Sequence, residues 1–302
     1  MNIRYLAPVQ FQKITIVGVG LLGGSLGLAA RQRKLAREVA GFVRRPASLK
    51  DCERAGAVDY ATTDLLAAVS GADLVVLCTP LAQMEPLVRQ LLPALKRGAI
   101  VTDVGSVKAD LVRTVGALVQ KAGAYFVGSH PMAGGEKMGV LAARADLYAG
   151  AVCVLTPVKK SNPRAVRALE KFWQALGAHT LRLDAAEHDA LVSRSSHLPH
   201  VVAAALVNLV LDPAAPRRQT PLCASGFRDA TRIASGSPEM WRDIALSNRK
   251  NVVRSLTAFV AELQRFQALL QRNDAAQIEE FFAAAKRRRD HWCAGGASSS
   301  PE

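Results

Sequence analysis

The sequence predicts an α/β protein, a parallel-sheet domain followed by an all-helical one. A short β-branched run, residues 13–17, enters a glycine loop that opens an apolar helix. Strand-length apolar runs then alternate with helical stretches to about residue 155, as buried parallel strands do. From about residue 161 strand signals nearly cease and helical periodicity takes over.

The loop reads Gly18-Val19-Gly20-Leu21-Leu22-Gly23, a G-x-G-x-x-G between strand and helix. This is the Rossmann-type dinucleotide fingerprint in its proper context. Gly18 allows the tight turn, Gly20 lets backbone approach a pyrophosphate, and Gly23 lets the helix sit close on the strand. The first turn, with Leu21 and Leu22, offers free N–H groups and a positive dipole end to phosphate. The bland alternative is a glycine-rich turn without a ligand.

The second strand, about residues 38–43, ends in Val43-Arg44-Arg45-Pro46. NAD-binding chains place Asp or Glu there for the ribose hydroxyls. Here two guanidinium groups stand where a 2′-phosphate would lie, and their planar forks suit phosphate. The cofactor expected is therefore NADP, with NAD the second choice. The alternative is a pair of solvated loop charges.

Further strands are expected at 72–78, 99–103, 124–128 and 151–157, all in one parallel sheet. Ligands of such sheets gather beyond the carboxyl ends of the strands. Thr79, Ser106 and His130 fall there. Thr79 joins the glycine loop as a cofactor contact.

The helical part contains an apolar helix within 184–211, interrupted at Pro199, and a second over 239–272. In the second, Val253, Leu256, Val260, Leu263 and Leu270 keep 3-4 spacing, with Phe259 and Phe266 beside them. Asp274 and Gln277 resemble a capping box for a last helix to about 291. The expected organisation is a dinucleotide-binding domain over 12–160, a helical substrate-binding and dimerisation domain over 161–292, and a disordered tail over 293–302. A homodimer through the helical domain follows from its apolar surface.

The 302 residues carry a net charge of +14, spread along the chain. The densest basic run, residues 286–289, ends a helix and complements its dipole. Aromatic residues do not interleave with it, so no nucleic-acid partner is expected. No signal peptide or membrane span is read. Five scattered cysteines fit reduced thiols and a cytoplasmic location.

His130, in Gly128-Ser129-His130-Pro131-Met132-Ala133-Gly134-Gly135, is the candidate general base. Ser106, in Gly105-Ser106-Val107-Lys108, is placed to bond substrate or His130, or to N-cap the next helix. Ser195-Ser196-His197-Leu198-Pro199-His200 forms a polar cluster on an apolar helix. Ser196 and His200 share a face, and His197 neighbours His200. No acid or cysteine clusters with these histidines, so no metal is expected. Arg232, in Thr231-Arg232-Ile233-Ala234, suits a substrate carboxylate, or else a salt bridge within the helical part.

Together these motifs resemble, in order and over residues 13 to 290, the prephenate and arogenate (cyclohexadienyl) dehydrogenases. The resemblance implies oxidative decarboxylation in tyrosine synthesis. It implies His130 as catalytic histidine and Ser106 as its partner, Ser196 and His200 as substrate contacts, and Arg232 as the carboxylate-binding arginine. The chain departs from NAD-using members at Val43, where they carry an acid. No chorismate mutase segment before 12 and no regulatory domain after 292 are expected. Prephenate is the expected substrate and arogenate the alternative. A two-domain 3-hydroxyacid dehydrogenase would want a catalytic lysine in the helical part, and neither Lys171 nor Lys250 sits in such a motif. A non-enzymatic NADP-sensing regulator would survive loss of His130, whereas an enzyme would not.

Overall fold

The structure is a computed structural model that describes residues 11–135, 137–214, 216 and 218–295. The chain divides into two compact units between Asn248 and Arg249.

The first unit is built on β1 (Phe11–Val17), followed by α1 (Leu21–Gln32), β2 (Ala36–Phe42), α2 (Ala47–Ala55) and β3 (Tyr60–Thr62). The second half-sheet contains α3 (Leu65–Val69), β4 (Leu74–Leu77), α4 (Leu81–Leu91), β5 (Ile100–Asp103), α5 (Ala109–Lys121) and β6 (Tyr125–Phe126). All six strands are parallel, in the order β3-β2-β1-β4-β5-β6. This doubly wound order puts a crevice beyond β1 and β4, where the winding reverses. The inner strand β4 reads as an unbroken apolar run because both faces are covered: Leu74 and Val76 pack with Ile14 and Ile16 to one side, and Val75 and Leu77 with Val17 and Val101 to the other.

The expectation of one parallel sheet through residue 157 fails after β6. Val127 N–H makes the last backbone–backbone bond to that sheet, to Val101 O at 3.1 Å. The chain then enters a second sheet of three strands, β7 (Gly128–Pro131), β8 (Val152–Thr156) and, after α6 (Pro163–Ala175), β9 (His179–Arg182). β7 and β8 are antiparallel, whereas β8 and β9 are parallel. Gly128 permits the switch: a Cβ there would lie 2.6 Å from Thr156 Oγ1. Residues 124–128 read as one strand, and periodicity does not show a change of partner inside it.

Beyond residue 160 the chain stays with the sheets. α6 buries Leu169, Phe172 and Trp173 in the same core as β1 and α1, and Tyr148 meets Trp173 edge-on. The expected domain border at 160 thus does not coincide with a change of packing, and strand and sheet persist to Arg182.

The rest of the first unit is helical: α7 (Ala185–Val192), α8 (Leu198–Val210), α9 (Ser225–Thr231) and α10 (Pro238–Ser247). The apolar helix expected over 184–211 is broken by a π-turn, Ser193–His197, placed just before Pro199. Such turns concentrate at functional sites. The second unit holds α11 (Arg249–Gln271) and α12 (Ala275–Gly295), where Phe266 packs on Phe281 and Phe282 at 4.8 and 5.5 Å between ring centres. The helix expected over 239–272 is therefore two, separated at Asn248. The final helix runs to Gly295, past the expected start of a tail at 293; residues 296–302 lie outside the described residues.

Candidate active site

The glycine loop leaves β1 at Gly18, whose φ is +101°. A side chain there would strike Thr79 Cγ2 and Cys78 O at 2.8 and 2.9 Å. A Cβ on Gly23 would fall 2.1 Å from Gly18 O, so the helix is seated directly on the turn. At Gly20 a Cβ would meet nothing within 4 Å, which leaves open space at the head of α1. No side chain caps α1. Leu21 and Leu22 lie half-buried in its first turn, and Tyr148 Oη donates to Leu22 O at 2.8 Å. Thr79 Oγ1 is buried with no hydrogen-bond partner among the described residues. An open cradle, uncapped N–H groups and an orphaned hydroxyl fit an anionic dinucleotide.

At the end of β2, Arg44 and Arg45 are exposed, and neither enters an ion pair among the described residues. No acid takes their place. Glu38 pairs with Lys13, and Asp59 is held by Arg31 and by the Val39 N–H.

Beyond β5 lies a buried polar network that the sequence reading did not assemble. The Lys108 ammonium, wholly buried, pairs with Asp103 and donates to Ser129 O at 3.0 Å. Asp103 also accepts from Gly105 N–H at 2.8 Å. Ser106 therefore sits on a loop held from beneath. It does not cap α5, whose N-cap is Lys108 and whose first N–H groups are taken by Asp189 of α7. Nor does it bond His130.

His130 lies on β7 and is 7% exposed. Its Nδ1 faces His188 Nε2 at 2.8 Å, and His188 Nδ1 donates to Asp189 Oδ1 at 2.8 Å. Nε2 of His130 has no partner among the described residues. Burial first, then the proximity of His188, Lys108 and His197, holds the His130 imidazole well below the usual histidine range. It stays neutral at physiological pH, as a general base requires.

The π-turn brings the second cluster alongside. His200 Nδ1 donates to Ser196 O at 2.9 Å, so its Nε2 is left for another partner. His200 stacks on Trp241 at 3.7 Å between centres, with 27° between the rings. Asn248 Nδ2 donates to His197 Nδ1 at 3.2 Å, which places the His197 proton on Nε2, buried and without a partner among the described residues. Burial depresses His197 to about 4 and His200 to a lesser degree, with Arg232 adding to the effect on His200. Arg232, on the turn after α9, thus lies within electrostatic reach of His200. Electrostatic neighbours thus run from His130 to His197, from His197 to His200 and from His200 to Arg232, and the Ser196 carbonyl is bonded to the His200 ring.

The sequence reading missed His188, Asp189, Lys108, Asp103, Asn248 and Trp241. A His-Asp pair on an otherwise apolar helix was a visible signal for His188 and Asp189. Lys108 closes the Gly105–Lys108 motif and Asp103 ends the strand before it, and spacing alone gives neither a role.

Residues 26–182 match the prephenate dehydrogenase nucleotide-binding domain, and residues 184–284 match the prephenate dehydrogenase dimerization domain. The chain belongs to the prephenate dehydrogenase family.

Its relatives include the prephenate dehydrogenase of Bacillus subtilis, 33% identical over 92% of this chain and 75% of that protein. The cyclohexadienyl dehydrogenase of Zymomonas mobilis is 32% identical over 92% of this chain and 95% of its own length. Among solved structures, prephenate dehydrogenase from A. aeolicus, in complex with hydroxyphenyl propionate and NAD+, superposes with a TM-score of 0.87. It is 32% identical and covers 95% of this chain and 99% of its own. Synechocystis arogenate dehydrogenase gives a TM-score of 0.79 at 30% identity, over 93% and 99% of the two chains. The chain is a dehydrogenase of the aromatic amino acid branch.

Proposed function

We propose that this chain oxidatively decarboxylates prephenate to 4-hydroxyphenylpyruvate, with NADP as hydride acceptor and His130 as general base. The observation that carries the reading is His130 itself, neutral, anchored through Nδ1 to His188, without a partner at Nε2 among the described residues, and within electrostatic reach of His197.

The nicotinamide, when bound, supplies the hydride acceptor. Gly18, Gly20, Gly23 and the first turn at Leu21 and Leu22 would hold the pyrophosphate, Thr79 Oγ1 would gain its missing partner, and Arg44 and Arg45 would take the 2′-phosphate. His130 Nε2 accepts the proton of the ring hydroxyl as hydride leaves the same carbon. The bond to the ring carboxylate breaks, carbon dioxide departs and its electron pair makes the ring aromatic. His130 then returns the proton to the phenolate oxygen, so no net proton is consumed. Arg232 holds a substrate carboxylate as a fork, and Ser196, His197 and His200 line the remaining wall. Ser106 offers its hydroxyl to the substrate oxygen.

We propose in addition a homodimer through the helical part, supported by exposed Val253, Val260, Leu263 and Leu270 on α11. No helix of the described residues is long and apolar enough to cross a membrane. The five unpaired cysteines support a cytoplasmic setting. Arogenate is the alternative substrate. Steady-state assays crossing prephenate and arogenate with NADP and NAD test the whole reading. Turnover of neither substrate with either cofactor overturns it, and faster turnover of arogenate reassigns the substrate.

A further inference from the structure

Three N–H groups converge on the Asp189 carboxylate: Lys108 N at 2.7 Å, Ala109 N at 2.9 Å and His188 Nδ1 at 2.8 Å. Asp189 is 3% exposed and His188 is wholly buried. A carboxylate so placed only accepts, and it faces the positive end of α5. The His188 proton therefore resides on Nδ1. In a neutral imidazole the other nitrogen is then an acceptor. That nitrogen, His188 Nε2, faces His130 Nδ1 at 2.8 Å. For this contact to be a hydrogen bond, His130 must carry its proton on Nδ1.

We propose that His188 and Asp189 are positioning residues that lock His130 in the tautomer whose Nε2 lone pair meets the substrate hydroxyl. The inference rests on the reading of His130 as the base. In the step itself the substrate O–H bond breaks and the proton goes to Nε2. His130 is then an imidazolium whose Nδ1–H still points at His188 and, through it, at the Asp189 carboxylate. No proton leaves the cluster until Nε2 returns it to the phenolate oxygen. The charged and titratable groups facing His130 are His188 and Asp189 from α7, Lys108 and Asp103 from the end of β5 and the head of α5, His197 from the π-turn, and Cys153 from β8. Of these, Asp189 is the carboxylate linked to His130 by hydrogen bonds through a single imidazole; Asp103 is engaged by Lys108. Asp189 also holds the start of α5, so one side chain would anchor both the end of the Ser106 loop and the tautomer of His130.

The direct test is the nitrogen chemical shifts of the six histidines, read by long-range proton–nitrogen correlation on the unaltered protein near pH 8. The expected result is a proton-bearing Nδ1 and a bare Nε2 on both His130 and His188. A proton on Nε2 of neutral His130 overturns the proposal, whatever any variant does. The kinetic arm compares His188→Leu with His188→Gln, whose amide oxygen can still accept from His130 Nδ1–H. His188→Leu should lower kcat by about 10²-fold or more with KM within a few-fold, and His188→Gln should recover at least about tenfold of it, as for loss and partial repair of a tautomer lock. Equal rates in the two variants, or a Leu variant within about threefold of the parent, reduce His188 to packing and overturn the proposal. His130→Asn separates the two levels. Unchanged kcat there refutes His130 as base, whereas lost kcat together with a proton on Nε2 refutes only the positioning role.

Discussion

Asp189 Oδ1 accepts the Lys108 backbone N–H at 2.7 Å, joining residues 81 positions apart in the chain. The bond ties α7 to the head of α5, so the helix that follows the Ser106 loop is held by a side chain from the segment matching the second family domain.

A stability prediction follows from that bond. Asp189→Ala removes an N-cap, worth about 0.5–2 kcal/mol, and strands the buried His188 Nδ1–H, which costs about 1–3 kcal/mol. The denaturation midpoint should fall by an amount corresponding to roughly 2–4 kcal/mol on these figures. Asp184→Ala, the same loss at the exposed cap of α7, serves as the control and should cost only the N-cap share. Equal midpoints for the two variants refute the buried role of Asp189.

The pH profile is the second prediction. In the proposed reaction neutral His130 is the working form, and its burial lowers its affinity for a proton. kcat/KM should therefore stay flat through neutrality and fall only well below pH 6.5, lower than an unperturbed histidine would place the limb. His130→Asn should lower kcat by about 10²–10⁴-fold, leave KM within a few-fold and abolish that limb. The same burial affects stability. His130 and His197 bind protons less readily folded than unfolded, so stability is fully present above about pH 6.5 and declines as pH falls, with the His197 share spent near pH 4. A melting temperature constant from pH 7 to 4 contradicts the assignment.

How much of this was legible in the sequence depended on the range of the contacts. The glycine loop is local, so Gly18, Gly20 and Gly23 announced strand, turn and helix together. The strand ends at Thr79 and Ser106 were legible for the same reason. The β6–β7 switch was not, because it turns on the contact between Gly128 and Thr156, 28 positions apart. The His130–His188–Asp189 chain stayed hidden because its first link spans 58 positions, and the bonds that tie Asp189 to Lys108 and Ala109 span 81 and 80, farther than any spacing rule reaches. Pro199 correctly signalled a disturbed helix, but the disturbance lies ahead of it as a π-turn, where Ser196 O is claimed by the His200 ring.

The proposed preference for NADP rests on Arg44 and Arg45. Replacing both with Ala should raise KM for NADP and leave KM for NAD within a few-fold. Each charged contact to phosphate is worth about 1.5–3 kcal/mol, so the selective loss should be at least about tenfold. Equal KM for both cofactors in the parent enzyme contradicts the assignment before any variant is made.

The proposed mode of substrate capture rests on Arg232. Its replacement by Ala should raise prephenate KM by tenfold or more on the scale of a lost charged fork, about 1.5–3 kcal/mol. NADP affinity measured by titration should not change, because Arg232 sits with His200 rather than with the glycine loop. Arg232→Lys should recover little of the loss, since a point charge does not reproduce the bidentate fork. A parallel fall in cofactor affinity would move Arg232 out of the substrate wall.

The assembly prediction concerns α11. Val253, Val260 and Leu263 are 57, 42 and 50% exposed, and they recur at spacings of seven and three along one helix. Apolar side chains at such spacing form a seam that a second helix can cover. Val260→Asp with Leu263→Asp should therefore convert a dimer to a monomer, read as a halved mass by light scattering. The wall built from His130, His197, His200 and Arg232 lies within one compact unit that ends at Asn248. The monomeric variant should accordingly keep the parent's nitrogen shifts at His130 and His188. A monomeric mass for the unaltered protein at micromolar concentration would remove the seam as an interface, and a dimer that survives both substitutions would place the interface elsewhere.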